Sequence, residues 1–178
     1  TGIVVYENGA LPERYAGTLL SAEARRRAIL SYQPKLGHGA AMELGKRSEI
    51  LASPENALFR PSDVVVGADG ALYAADWFDS GVGGHNDSDE TTSGSIYRIA
   101  PKGFKPSLPK IDLTTVDGAL LALKSPAVNV RSLGYQKLKS TGAAAYEAVT
   151  KVLENPNPFV AARAIWLLPY LGEQGRAK

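Results

Sequence analysis

The chain has 178 residues, enough for one domain or two small ones, and its 44% hydrophobic and 21% charged content is that of an ordinary soluble globular protein. No apolar run approaches the roughly 18 residues of a membrane span, and zero cysteines exclude disulfides, zinc–thiolate sites and covalent c-type haem within it. The net charge of +2 hides an asymmetry: Pro61 to Tyr97 holds seven acidic residues and no Lys or Arg, leaving all 20 basic residues against 11 acidic ones elsewhere.

In chain order, Gly2–Glu7 (GIVVYE) reads as a short apolar strand, broken by Asn8-Gly9-Ala10-Leu11-Pro12. A second strand is predicted over Gly17–Ala24, a third over Ala28–Tyr32 and a fourth over Ala41–Leu44, together a four-stranded unit. The basic cluster Arg25-Arg26-Arg27 has two readings, an anionic-ligand patch or a solvated hairpin. The hairpin is the expectation, with no nucleic-acid partner. His38, in Leu36-Gly37-His38-Gly39, is expected at an exposed turn.

The next stretch, Arg60–Ile99, is more informative. Val64, Val65 and Val66 form a β-branched strand ending at Gly67, and Asp69-Gly70 is a hairpin signal. Leu72, Tyr73 and Ala75 lead into Asp76-Trp77, and Ser95-Ile96-Tyr97-Arg98-Ile99 returns as a third strand. Between them runs a Gly-rich loop with Asp79, His85, Asp87, Asp89 and Glu90. A connection that long without secondary structure is commonly functional or disordered, and clustered carboxylates make a cation the natural partner.

After Ile99 the composition changes. Residues 101–112 are a basic, proline-punctuated linker. Residues 113–178 then take a helical period. Thr114-Thr115-Val116-Asp117 is a capping arrangement for a first helix with Leu120, Leu121 and Leu123 on its apolar face. Val130, Leu133 and Leu138 mark a second helix, where Gly134 allows close approach. Ala145, Val149, Val152 and Leu153 mark a third, and Ala161, Ile165 and Leu168 a fourth, which Pro169 is expected to kink or end. Ser125–Leu133 matches Asn157–Ile165 at an offset of 32 residues, with Pro, Val and Arg in identical positions (Pro126/Pro158, Val128/Val160, Arg131/Arg163). Helix pairs at this period indicate an α-solenoid, and the pattern resembles HEAT repeats. The prolines are expected at helix starts. The arginines either bind a ligand or, as expected here, bridge successive repeats.

The phrase from Arg60-Pro61-Ser62-Asp63 through Asp76-Trp77-Phe78-Asp79, Val82-Gly83-Gly84-His85 and Ile96-Tyr97-Arg98-Ile99-Ala100-Pro101-Lys102-Gly103-Phe104 resembles the last full propeller blade of membrane-bound dehydrogenases of planctomycetes and verrucomicrobia. That propeller is similar to the soluble sugar dehydrogenases that use pyrroloquinoline quinone (PQQ). The entry phrase Tyr6 to Leu19 is similar to the family's penultimate blade, although the family's usual Asp in the second strand is replaced, leaving Glu23. The fold class implied is mixed and in two parts: residues 1–100 as two antiparallel β-propeller blades of an incomplete ring, and residues 113–178 as a HEAT-like α-helical solenoid. Gly2–Leu51 and Pro61–Ile99 are each near the roughly 40–45 residues of a blade, and a ring closes with about four to eight. The start at Thr1-Gly2-Ile3, without Met or signal peptide, is expected of a segment of something longer.

The resemblance implies oxidation of a sugar or other alcohol, with calcium polarising PQQ, a histidine taking the hydroxyl proton and electrons passing to a downstream cytochrome-type haem domain. His85 is then the catalytic candidate, Asp76 and Asp79 the cofactor-binding ones, and Asp79, Asp87 and Asp89 the metal ligands. The residue types suit this chemistry, since calcium takes about six to eight oxygen ligands, and an ordinary histidine pKa of about 6.5 suits proton transfer near neutrality. The D-x-D-x-D-G spacing of a specific calcium loop is absent. The alternative for the same residues is a turn whose aspartates accept from local backbone N–H groups, with His85 capping the loop. For the whole protein the alternatives are a non-catalytic propeller and solenoid scaffold or a metal-dependent propeller lactonase. A periplasmic or cell-envelope location, self-association through open blade faces, and no turnover by the isolated chain are the remaining expectations.

Overall fold

The computed structural model describes residues 2–36, 41–43, 45–79 and 94–178 and divides into two compact units. One comprises the residues up to Gly67 with Ala71–Phe104, and the other Lys105–Lys178 with Ala68–Gly70. The architecture is mixed, antiparallel sheet followed by helix. No helix among the described residues is long and apolar enough to cross a membrane.

In the first unit, β1 (Ile3–Tyr6), β2 (Thr18–Glu23) and β3 (Ala28–Tyr32) follow one another antiparallel. A two-residue ladder of β4 (Lys35–Leu36) and β5 (Met42–Glu43) intervenes before β6 (Arg47–Ala52) completes the sheet in the order β1-β2-β3-β6. The fourth strand is therefore Arg47–Ala52, not Ala41–Leu44. Met42 is exposed and has no core to join, whereas Ile50 and Leu51 pack on the core as β6 pairs with β3 from Tyr32↔Arg47 to Ala28↔Ala52. Leu44 and His38 lie outside the described residues. The cluster Arg25–Arg27 occupies the β2–β3 turn, where Arg25 and Arg26 are exposed and the Arg27 guanidinium donates to Pro54 O at 2.6 Å.

A second antiparallel sheet consists of β7 (Pro61–Val66), β8 (Leu72–Asp76) and β9 (Ser95–Ile99). The β7–β8 turn closes through Gly67 N donating to Ala71 O at 2.8 Å, and Gly70 adopts φ 85°, which glycine enters without a steric penalty. Period-two alternation sends Val64 and Val66 inward and Val65 outward. Along β8, Leu72, Ala74 and Asp76 are the buried set. The two sheets share one core, in which Tyr6, Leu20, Ala22 and Ile29 meet Val64, Val66, Leu72 and Ala74. Fully burying each large apolar side chain there contributes about 1.5–3 kcal/mol.

The second unit is helical: α1 (Val116–Leu123), α2 (Val128–Thr141), α3 (Tyr146–Thr150), α4 (Pro158–Ile165) and α5 (Gly172–Ala177). Thr115 caps α1, its Oγ1 accepting from Gly118 N at 3.0 Å, with Asp117 in the first turn. Gly134 allows α2 to press on α1: a Cβ there would lie 2.5 Å from both Ala119 O and Leu123 N. Asn157 caps α4 through Phe159 N and Val160 N, with Pro158 at its start. Its counterpart Pro126 instead precedes the α2 cap residue Ala127. Helix α4 ends before Pro169, which sits in a 3-10 turn over Leu168–Tyr170.

The apolar faces of three helices differ from the expectation; on α1, Leu121 is exposed and Ala119 and Ala122 are buried beside Leu123. Leu133 and Ile165 are each more than half exposed, while Gly134 and Leu138, and Val160 and Ala164, face the core with Leu167 and Leu171. The four-residue spacing holds, but the buried row on α4 is one residue earlier. Arg163 reaches the α1–α2 corner, its Nη1 donating to Leu123 O at 2.8 Å and Ser125 O at 3.1 Å.

Candidate functional site

The acidic loop leaves the second sheet at the end of β8 and re-enters it at β9, and the described residues form its neck. Asp76 is the last residue of β8 and is 4% exposed because the strand's alternation turns it to the same face as Leu72 and Ala74. A buried carboxylate needs hydrogen-bond donors to offset its lost hydration. Here Oδ1 accepts from the backbone N–H of Arg60 at 2.8 Å and of Phe78 at 2.9 Å, and Oδ2 accepts from the Tyr97 hydroxyl at 3.4 Å. One side chain thus ties the segment before β7, the exit of the loop, and β9.

The backbone reinforces this junction. Trp77 N donates to Arg60 O and Asp79 N to Leu58 O, both at 2.9 Å, so the chain beyond β8 stays beside residues 58–60. Phe78 is held at φ 58°, a left-handed conformation uncommon outside glycine, immediately after the turn that its own N–H makes with Asp76. On the returning side a Cβ at Gly94 would meet Asp76 O at 3.0 Å. The ring of Tyr97 packs edge-on against Phe59, with centroids 5.7 Å apart.

Of the candidate residues, Asp76 and Asp79 sit at this neck, Asp76 buried and Asp79 half-buried, with Trp77 exposed between. His85, Asp87, Asp89 and Glu90 lie outside the described residues. Among the described residues no group of three or more His, Cys, Asp and Glu side chains could hold a metal ion. Both Asp76 oxygens face donors of the protein. The geometry is that of a loop anchor. Phe59, Arg60 and Tyr97 complete the neck and were missed by sequence reasoning. For Tyr97 a signal existed: period two along β9 places it opposite Ala74, on the inward face.

Residues 1–103 match the family described as "Domain of unknown function (DUF7133)". No curated protein and no solved structure matches the chain.

Proposed function

Since the chain belongs to the DUF7133 family, whose description assigns no activity, we propose, from the resemblance of residues 60–104 to a blade of the membrane-bound dehydrogenases, that it is part of an envelope-associated dehydrogenase that oxidises a sugar or other alcohol. The observation that carries this reading is the neck: a buried carboxylate and a left-handed Phe78 hold both ends of a loop rich in acids and bearing His85. Anchors of this kind position loops for chemistry on a rigid scaffold. In this reading the two sheets are blades of a β-propeller, and the helices a HEAT-like solenoid, within a longer periplasmic protein carrying a haem domain. His85 takes the hydroxyl proton, Asp79, Asp87 and Asp89 offer carboxylate oxygens, and Asp76 holds the loop. PQQ and calcium are the proposed cofactors, PQQ supplying the hydride acceptor.

The test is oxidation by the full-length protein supplied with PQQ and calcium, assayed over a panel of sugars and alcohols with an artificial electron acceptor. His85→Ala is expected to lower turnover by at least about a hundredfold, the low end for removal of a general base, while leaving the unfolding midpoint in place. Normal turnover by that variant, or no oxidation of any panel member, favours the second reading, a binding scaffold. An observation that favours the scaffold is the open cleft of the helical unit, lined by Trp166 and two arginines.

A further inference from the structure

A cleft in the helical unit is not used by the dehydrogenase reading, and the internal repeat indicates what fits it. Leu123 at the end of α1, Val128, Ser132 and Tyr135 of α2, and Trp166 at the end of α4 line a cavity of about 350 Å³. That volume is within the roughly 300–1,000 Å³ of ligand pockets. Its lining is mostly apolar, with Val128 53% and Trp166 73% exposed. Arg131 and Arg163 complete the walls, and the aliphatic stem of an arginine covers apolar surface.

The 32-residue offset that aligns Ser125–Leu133 with Asn157–Ile165 matches Val128 and Ser132 to Val160 and Ala164. Carried two residues further, it matches Tyr135 to Leu167. In the second repeat this row is inside. Val160, Ala164 and Leu167 are at most 4% exposed and share one core with Val149 of α3 and Val152 of the 3-10 turn that follows it, and α4 packs on that turn. In the first repeat, α2 instead presses Gly134 against α1, and Val128 and Ser132 stay exposed. The cleft is continuous with the helix–helix core, since Leu123 belongs to that core and Tyr135 packs against it. The Tyr135 hydroxyl donates to Trp166 O at 2.9 Å and ties α2 to the end of α4.

We propose that this cleft seats an amphipathic helix of a partner protein, anchored by two aliphatic side chains one turn apart, as Val149 and Val152 meet the equivalent row of the second repeat. The anchors pack on Val128, Tyr135 and Trp166, and the small Ser132, at the position of Ala164, lets the helix come close. Covering the exposed apolar surface of Val128 and Trp166 supplies the driving force. Helices that enter grooves are read through anchors at i and i+3 or i+4, and tryptophan is among the residue types enriched at interface hot spots. A nucleic-acid strand is the poorer match, because it requires successive stacking faces, whereas this cleft has one exposed indole over an aliphatic floor. The inference does not rest on the dehydrogenase reading.

The experiment is selection of a library of helix-stapled peptides, randomised along one face, against the whole chain, followed by titration of the selected peptides into the Trp77→Phe variant. The chain has two tryptophans, so Trp166 then reports alone. Selected peptides are expected to carry two aliphatic residues at a spacing of three or four and to shift Trp166 emission to shorter wavelength. Val128→Asp puts an acidic side chain in the first turn of α2, where the helix dipole favours it, so the fold is expected to hold. It should weaken binding at least about tenfold with unchanged circular dichroism, as should Trp166→Ala and alanine at both anchors of the peptide. The proposal is overturned if no peptide is retained by the wild type and lost by Val128→Asp, or if alanine at both anchors leaves the affinity unchanged. Displacement of the peptides by an oligothymidylate at lower concentration than by free peptide assigns the cleft to nucleic acid and overturns it too. So does a fall in the light-scattering mass of the chain on Val128→Asp, which assigns the cleft to a second copy.

Discussion

Asp76 shows how one residue can carry an element boundary. Removing its carboxylate leaves the buried N–H of Arg60 and the part-buried N–H of Phe78 without this acceptor. Each orphaned buried donor costs about 1–3 kcal/mol, a large share of a domain's typical stability of about 5–15 kcal/mol. Asp76→Ala is therefore expected to destabilise by about 3 kcal/mol or more in chemical denaturation. Asp76→Asn, which keeps an acceptor oxygen, should cost less than half as much; equal losses for the two would remove the anchor role. Asp112 offers a pH-dependent counterpart at the surface. Its Oδ1 accepts from the Thr114 hydroxyl at 2.6 Å and the Thr114 N–H at 2.9 Å, which holds its pKa below the ordinary aspartate value. Because the folded pKa is lowered, the contribution to stability is present above the unfolded-state pKa and is lost as pH falls through the folded one. An NMR titration should find the Asp112 carboxyl below the usual aspartate range and Thr114→Val moving it back up. No movement would discard the hydroxyl as the main cause.

For the elements, Gly134 decides how close α1 and α2 come. Alanine in mid-helix gains about 1 kcal/mol over glycine from propensity alone. Against that, the new methyl would meet Ala119 O and Leu123 N, backbone atoms that move only if α1 moves, and overpacking costs about 1–3 kcal/mol. The clash should win. Gly134→Ala is expected to lower the thermal midpoint of the helical unit, and a raised midpoint would show that the helices separate without cost. The first sheet has a comparable closure at Tyr6, whose buried hydroxyl accepts from Leu11 N at 2.7 Å. Burial raises the Tyr6 pKa against the lowering effect of its Leu11 hydrogen bond, so the phenol remains the neutral form.

At the scale of the whole molecule, the outward face of the second sheet carries exposed apolar side chains among the described residues. Val65 on β7 and Ile96 on β9 are exposed on the strand faces opposite the core, Ile96 by 74%. Exposed apolar sheet faces and open edges favour association. Light scattering is expected to give a mass above that of a single chain, rising with concentration, and the Val65→Lys/Ile96→Lys double variant should return it to one chain. A concentration-independent monomer in the wild type would set aside self-association through this face.

Much of the secondary structure was legible in the sequence alone. The β-branched run Val64–Val66, the Asp69-Gly70 turn and the alternation after Leu72 are local properties, and β7, β8 and β9 lie where those properties place them. The Thr115 cap, the close approach at Gly134 and the end of the helix before Pro169 are local in the same sense. Tertiary structure alone decided which apolar residues are inside. Leu133 and Ile165 have the right spacing but point outward, because a helix buries the face its neighbours cover and periodicity does not specify that phase. The fourth strand became Arg47–Ala52 for the same reason: β3 offered a partner edge at that register, and Ile50 and Leu51 could reach the core. The role of Asp76 was also decided there, since one donor to its carboxylate lies 16 residues earlier and the Tyr97 hydroxyl 21 residues later. The sequence beside a Gly-rich loop gives no sign of donors so distant along the chain; folding brings them to the acid, and its carboxylate then ties three segments together.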